Sequence, residues 1–224
     1  MRRIYYAFWL LPVAMIFGFY WFILRDLPSP AKLGRYDVPL ATKVYDRNGE
    51  LLFDIFVDQN RTPVPLTQIP KVVQQATISI EDKNFYKHGG VNPVGGILRA
   101  IVSSLLKRKL QGGSTITQQL IKSALLTPER TVLRKIKEFF LAPVVELLYT
   151  KNKILEMYLN TVPYGGTAWG IETAAEKYFG KSITDVTLAE AALLAGLPQA
   201  PTVYSPFGAH PERAKDRQKE VLRR

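Results

Sequence analysis

The chain has no cysteine and only two histidines, His88 and His210. A disulfide framework, a thiolate zinc site and a cysteine nucleophile are therefore excluded, and a metal centre built on several histidines has too few ligands. Acid is scarce as well. Nineteen Asp and Glu stand against 30 Lys and Arg, a formal charge of +11. Such an excess suggests an anionic partner: nucleic acid, a phospholipid surface or a phosphorylated substrate. No internal repeat of roughly 20 to 50 residues is visible, which sets aside solenoids and propellers. What is present is apolar material, 47% of 224 residues, enough for the core of one compact domain with an appendage.

Charge is missing altogether from Ile4 to Leu24. As a helix this run spans about 31 Å, the thickness of a bilayer core. Tyr5, Tyr6 and Trp9 at one end and Tyr20 and Trp21 at the other match interfacial aromatic belts. Arg2, Arg3 and the amino terminus outweigh the Arg25/Asp26 pair, which places the N-terminus in the cytoplasm and the rest outside. The run is longer than a signal-peptide core and no A-x-A-like site follows, so residues 1–25 read as a cytoplasmic stub and one uncleaved transmembrane helix. The Pro-rich, aperiodic residues 26–40 read as a juxtamembrane linker, leaving 41–224 as the folded domain.

That domain reads as mainly α. TKVYDRNGELLFDIFV carries β-type residues on both sides of Asn48-Gly49, which predicts a small N-terminal β hairpin. From Pro65 onward the apolar period is helical. Thr67, Ser114, Thr127-Pro128 and Thr187 mark helix starts, and Gly180 and Gly196 mark stops. The chain ends on VLRR inside an apparent helix with no capping signal, so it is expected to be truncated, with further sequence following.

Three stretches carry unusual chemistry. In ISIEDKNFYKHGG a helical run stops on two adjacent carboxylates, Glu81 and Asp82, and the plain reading is a solvated helix end. Between Arg99 and Lys137 there are nine basic residues and one acid, Glu129, so most of the excess charge sits there. Within it, GGSTITQQLIK places Thr115, Gln119 and Lys122 on one helical face behind a glycine pair, a cradle suited to pyrophosphate. An ordinary Ser114 N-cap explains the same residues. In TPERTVLRKIKEFFLAPVVE, the apolar Leu133, Ile136, Phe140 and Val144 are expected to face the core. Arg134 and Glu138 share another face, as a helical salt bridge or as a phosphate and sugar contact.

Four stretches, EDKNFYKHGG, GGSTITQQLIK, RKIKE and KNKILEMYLN, stand in the order and at about the separations of the motifs of the bacterial peptidoglycan glycosyltransferases. From about Thr42 to its end the chain strongly resembles that family, the N-terminal catalytic module of class A penicillin-binding proteins. The resemblance implies a lysozyme-like α fold with a membrane-embedded jaw, and polymerisation of the wall precursor lipid II. The growing strand on undecaprenyl pyrophosphate is the donor and the 4-hydroxyl of the incoming GlcNAc is the acceptor. Inversion at the donor's anomeric carbon gives a β-1,4 bond and releases undecaprenyl pyrophosphate.

Carried over residue by residue, the resemblance implies that Glu81 is the general base, with Asp82, Phe85 and His88 orienting its loop. Glu138 is the implied second carboxylate, facing the donor. Lys122 and Arg134 match pyrophosphate-contacting positions, with Thr115, Gln119, Lys135 and Lys137 beside them and Ser114 in support. NPVGGILRAIVSSLLKRKL is the implied jaw, with Lys107, Arg108 and Lys109 meeting anionic headgroups. Glu156, Tyr158 and Asn160 read as structural supports, and His88 as a loop residue, not a metal ligand. The family's late R-R-x-x-V-L motif stands here as RQKEVL, with Gln218 in place of the second Arg, which weakens the case for a role of the terminal helix.

No metal site and no required cofactor are implied, with a divalent cation left open. The implied partners are lipid II, the nascent glycan strand, membrane lipids and a transpeptidase domain or other wall-synthesis proteins; nucleic acid is not among them. The implied location is the bacterial cytoplasmic (inner) membrane, single-pass, with the catalytic domain periplasmic or extracellular. Two competing readings are a lysozyme-like hydrolase or lytic transglycosylase, and a non-catalytic, membrane-tethered binder of wall polymer. A cluster of cations is not needed to cleave a neutral polysaccharide, which favours the transferase.

Overall fold

The structure, a computed structural model, describes Trp21 and residues 25–34, 42–49, 51–55, 60–91, 113–127, 129 and 131–224. The described chain is mainly helical. Strands β1 (Thr42–Tyr45) and β2 (Leu51–Ile55) form the antiparallel hairpin, and β3 is Asn60–Arg61. Then follow α1 (Lys71–Glu81), α2 (Ile116–Ala124), α3 (Val132–Leu148) and α4 (Lys151–Thr161). Strands β4 (Pro163–Gly165) and β5 (Ala168–Trp169) precede α5 (Ile171–Phe179), α6 (Leu188–Gly196) and α7 (Pro211–Leu222). β5 lies between β3, parallel to it, and β4, antiparallel, in a second small sheet that the periodicity did not announce.

The hairpin turn is closed by Asp46, whose C=O accepts from the Gly49 N–H at 3.1 Å and whose carboxylate accepts from the Asn48 N–H at 2.8 Å. Gly49 has φ 86°, a conformation that side chains disfavour. Helix ends follow local chemistry, with three shifts from the expected starts. α1 begins at Lys71, not near Thr67, because the preceding turn is held in place by the Gln74 side chain, which donates to the C=O groups of Leu66 and Ile69. α2 is capped by Thr115, not Ser114, through a reciprocal box with Gln118. α3 is capped by Thr131, not Thr127-Pro128. Thr187 caps α6 in a box with Glu190, and Gly180 closes α5 at φ 65°. Gly196 is the last residue of α6 and no left-handed stop; a Cβ there would meet Arg217 Cγ at 2.8 Å, so α7 crosses close over it.

α4 is the central helix, with Ile154, Leu155, Met157, Tyr158 and Leu159 all buried. Each such aliphatic side chain contributes on the order of 1.5–3 kcal/mol by leaving water. α2 packs on both α3 and α4, while α1 packs on α6 and α7. α1 thereby has two cores to serve: Val73 joins the main one, and Ala76 and Ile80 join Ala192, Ala195 and Val221 in a second. On α3 the buried face is Glu138, Leu141, Ala142 and Val145. That corrects the expected face, for Leu133, Phe140 and Val144 are exposed. The reason is that residues 139–148 are apolar nearly all round, so the period has no unique phase, and the close approach of Gly90 to the Ala142 backbone selects one.

Among the described residues no helix is long and apolar enough to cross a membrane. The expected anchor, apart from Trp21 and Arg25, lies outside the described residues, as does the expected jaw with Lys107, Arg108 and Lys109.

The segment entering α1 is held by α4. Asn160, fully buried, accepts from the Val64 N–H at 2.9 Å and donates to the Val64 C=O at 2.8 Å, while Glu156 accepts from the Leu66 N–H at 2.9 Å. Asn160→Ala strips Val64 of both partners and is expected to cost about 1–3 kcal/mol. Urea unfolding measures it; a loss under ~0.5 kcal/mol would mean that solvent replaces these bonds.

Candidate active site

The adjacent carboxylates at the end of α1 do different jobs. Asp82 turns inward. Its Oδ2 accepts from the Ile116 N–H at 3.1 Å, at the positive end of α2, and both its oxygens lie 2.9 Å from His88 Nε2. His88 Nδ1 accepts from the Gly90 N–H at 3.2 Å, so the proton of a neutral ring is assigned to Nε2. Both ring nitrogens are thus engaged within the loop. Thr115 donates to the Gly90 C=O at 2.6 Å, and Phe85 is fully buried beneath Lys151, whose Nζ stands 4.5 Å from the ring centroid. Lys151 also donates to the His88 C=O and pairs with Glu146, to which Thr117 donates. Loop 82–90 is therefore fastened to α2, α3 and α4 together.

Glu81 turns the other way. Its Oε2 accepts from Gln119 Nε2 at 2.7 Å, and the Gln119 Oε1 accepts from the Tyr158 hydroxyl at 3.3 Å, which fixes the amide's orientation. Its Oε1 has no hydrogen-bond partner among the described residues and lies 3.7 Å from Arg217 Nη2 on α7. The side chain is only 7% exposed. Burial raises the Glu81 pKa above the ordinary glutamate range, outweighing the Gln119 hydrogen bond and the charges of Arg217, Lys122 and Arg224, which lower it. Burial also pushes the Tyr158 and Tyr164 hydroxyls up, with the Glu81 charge a further cause in each.

Lys122 lies one turn beyond Gln119 on α2 and is exposed. Glu138 is buried on α3 and held by two cations, Arg134 Nε at 3.2 Å and Lys135 Nζ at 2.6 Å. Lys135 also donates to Ser114 Oγ at 2.7 Å, joining α3 to the start of α2. A cavity of about 540 Å³ opens beside Arg134 and Lys137, with Leu27, Leu125, Leu126 and Leu133 among its walls. Glu81, Gln119 and Lys122 do not line it.

Of the residues expected to form one pyrophosphate cradle, the structure puts Gln119 and Lys122 beside Glu81 and Arg134 and Lys137 at the cavity. Thr115 differs: it is a buried N-cap whose hydroxyl is engaged by Gly90 and Gln118, because the helix starts one residue later than expected. The expected Arg134–Glu138 pairing is present as a helical salt bridge. Sequence reasoning missed Arg217, Glu146 and Lys151. Arg217 lies in the RQKEVL stretch already singled out, but no spacing rule ties it to Glu81. Among the described residues no group of three or more His, Asp or Glu is placed to hold a metal ion.

A family model described as Transglycosylase matches residues 48–224. Penicillin-binding protein 1A of Aquifex aeolicus is 48% identical over 202 residues, 90% of this chain and 28% of that protein. The Escherichia coli penicillin-binding protein 1A is 43% identical over 215 residues, 96% of this chain and 25% of that one. Penicillin-binding protein 1F of Bacillus subtilis is 43% identical over 183 residues, 81% of this chain and 25% of its own length. The chain spans about a quarter of the length of these relatives. Among solved structures, penicillin-binding protein 1A from Haemophilus influenzae is 24% identical with a TM-score of 0.45, over 84% of this chain and 18% of that one. Matched over most of its length, the chain belongs to the transglycosylase family, the peptidoglycan glycosyltransferase module of class A penicillin-binding proteins.

Proposed function

We propose that this chain polymerises lipid II into β-1,4 glycan strands, with Glu81 as the general base and inversion at the donor sugar. The observation that carries the reading is the environment of Glu81: a carboxylate nearly closed to water, with one oxygen held by Gln119 and the other not hydrogen-bonded by any described residue. An alcohol is a poor nucleophile near neutral pH. A base removed from water and left with a free lone pair is well suited to take its proton as the bond forms. The proton passes from the acceptor's 4-hydroxyl to Glu81, the oxygen attacks the anomeric carbon, and the bonding pair leaves on undecaprenyl pyrophosphate.

Negative charge builds on that leaving group, so cations nearby stabilise the transition state more than the ground state. Lys122, Arg134, Lys135 and Lys137 supply them in this reading. Glu138, buried under Arg134 and Lys135, holds two of them in place and orients the donor side through them. The apolar walls of the cavity beside Arg134 and Lys137 suit a lipid-linked phosphate better than a free one. The fold is read as lysozyme-like, the location as the outer face of the cytoplasmic membrane on a single N-terminal anchor, and the partners as lipid II, the nascent strand and a transpeptidase domain. The charge-free run from Ile4 to Leu24 supports the anchor.

A carboxyl with a raised pKa also suits a general acid, which is the hydrolase reading. The two separate on substrate: the transferase makes polymer from lipid II, and the hydrolase makes fragments from polymer. Glu81→Gln is expected to lower the polymerisation rate by about 10²- to 10⁴-fold while the far-ultraviolet spectrum is unchanged. A folded variant polymerising at the wild-type rate sinks the base assignment. The pH dependence has a definite sign. The base works only when ionised, so kcat/KM falls as pH drops through a Glu81 pKa that burial has raised. The acidic limb is expected above the ordinary glutamate range, and a limb within that range contradicts the buried geometry.

A further inference from the structure

α7 sends two arginines against the C-terminal end of α1. Arg217 is 8% exposed; its stem lies against Gly196 of α6, its guanidinium stands 5.6 Å from the Tyr204 ring centroid, and its Nη2 is 3.7 Å from Glu81 Oε1. Arg224 donates to the Ile80 C=O at 3.3 Å. Glu220 joins the two, 2.7 Å from Arg217 Nη1 and 2.7 Å from Arg224 Nη2. Cations at the carbonyl end of a helix are favoured by its dipole, and here they also face the carboxylate that ends it.

The geometry distinguishes two contacts that Glu81 makes with described residues outside its own helix. Gln119 donates a hydrogen bond into Oε2. Arg217 is too far for one, so it offsets the charge at Oε1 without occupying the lone pair. A buried carboxylate needs some such neighbour to stay ionised, and a full bidentate hydrogen bond would take up the oxygen that must accept a proton.

We infer that Arg217 is the positioning residue of Glu81, holding the carboxylate ionised between α2 and α7 while leaving Oε1 without a hydrogen bond. The inference rests on the reading of Glu81 as general base. Among the described residues the groups facing Glu81 are Gln119 and Lys122 on α2, Tyr158 on α4, Tyr164 on β4, and Arg217 and Arg224 on α7 with Glu220 behind them, while the neighbouring Asp82 turns away to His88 and Ile116. Among these cations the Arg217 guanidinium is the one ion-paired with the Glu81 carboxylate, and its other nitrogen is held by Glu220, so its removal acts on both acids. It also gives the terminal helix a part in the site.

The test is the pH profile of kcat/KM for polymerisation by the full chain with Arg217 replaced. Losing the charge raises the Glu81 pKa, so Arg217→Gln is expected to move the acidic limb upward by about one unit, the low end for an opposite charge within ~4–6 Å. Below the limb that is about a tenfold loss. Arg217→Met keeps the stem packing against Gly196 and Tyr204, and carries the same test if the Gln variant does not fold. Arg217→Lys restores the charge and is expected to return the limb most of the way. A purely structural arginine lowers the melting temperature and the rate at every pH and leaves the limb in place; that outcome in a folded Gln or Met variant overturns the inference. Glu81→Gln is run in parallel. If it is inactive while the Arg217 variants keep the wild-type limb, the positioning role alone fails; if it is active, the base assignment fails and takes this inference with it.

Discussion

The site depends on the Asp82 carboxylate lying against the N-terminus of α2. An anion there is stabilised by the unpaired N–H groups and the helix dipole, and His88, whose Nδ1 accepts from the Gly90 N–H, places its Nε2 against the same oxygens. This contact sets how α1 meets α2. Gln119 then arrives within hydrogen-bond distance of Glu81, and Lys122 one turn further on. Two consecutive residues of like charge thereby part company: one anchors the scaffold, and the other is left with an oxygen that no described residue hydrogen-bonds.

That arrangement carries a cost in stability. A carboxyl whose folded pKa is raised binds its proton more tightly when folded, so its stabilising contribution is fully present below the unfolded pKa and is lost as pH rises through the folded one. Ionising Glu81 in the folded state runs against the preference of its surroundings. Arg217, Lys122, Arg224 and the Gln119 amide reduce the penalty without abolishing it. The surroundings of Glu81 are in this sense a costly place in an otherwise well-packed protein, and the core around α4 supplies the margin.

The second carboxylate follows a different logic. Glu138 is at least as buried as Glu81 but lies between two cations on its own helix, Arg134 and Lys135, the latter also reaching Ser114 at the start of α2. It is a fastening for cations, and the cavity opens on the Arg134 and Lys137 side of that helix. The two acids thus sit on different helices, Glu81 at the end of α1 beside Gln119 of α2 and Glu138 on α3 between its two cations.

The residue order alone determined the hairpin at Asn48-Gly49, the succession of helices after Pro65, the caps at Thr187 and Gly180, and the four motifs that marked Glu81 and Lys122. These are legible because turns, caps and helical period are interactions among residues within about four positions of each other. Only the tertiary structure decided which face of α3 is buried, that Asp82 and Glu81 diverge, that Thr115 is a cap, and that Arg217 meets Glu81. In α3 the apolar run offers several faces of similar hydrophobicity, and the close contact at Gly90 chooses between them. The partner of a buried carboxylate is likewise set by which distant elements pack together, a choice made by the whole core at once and written in no local spacing.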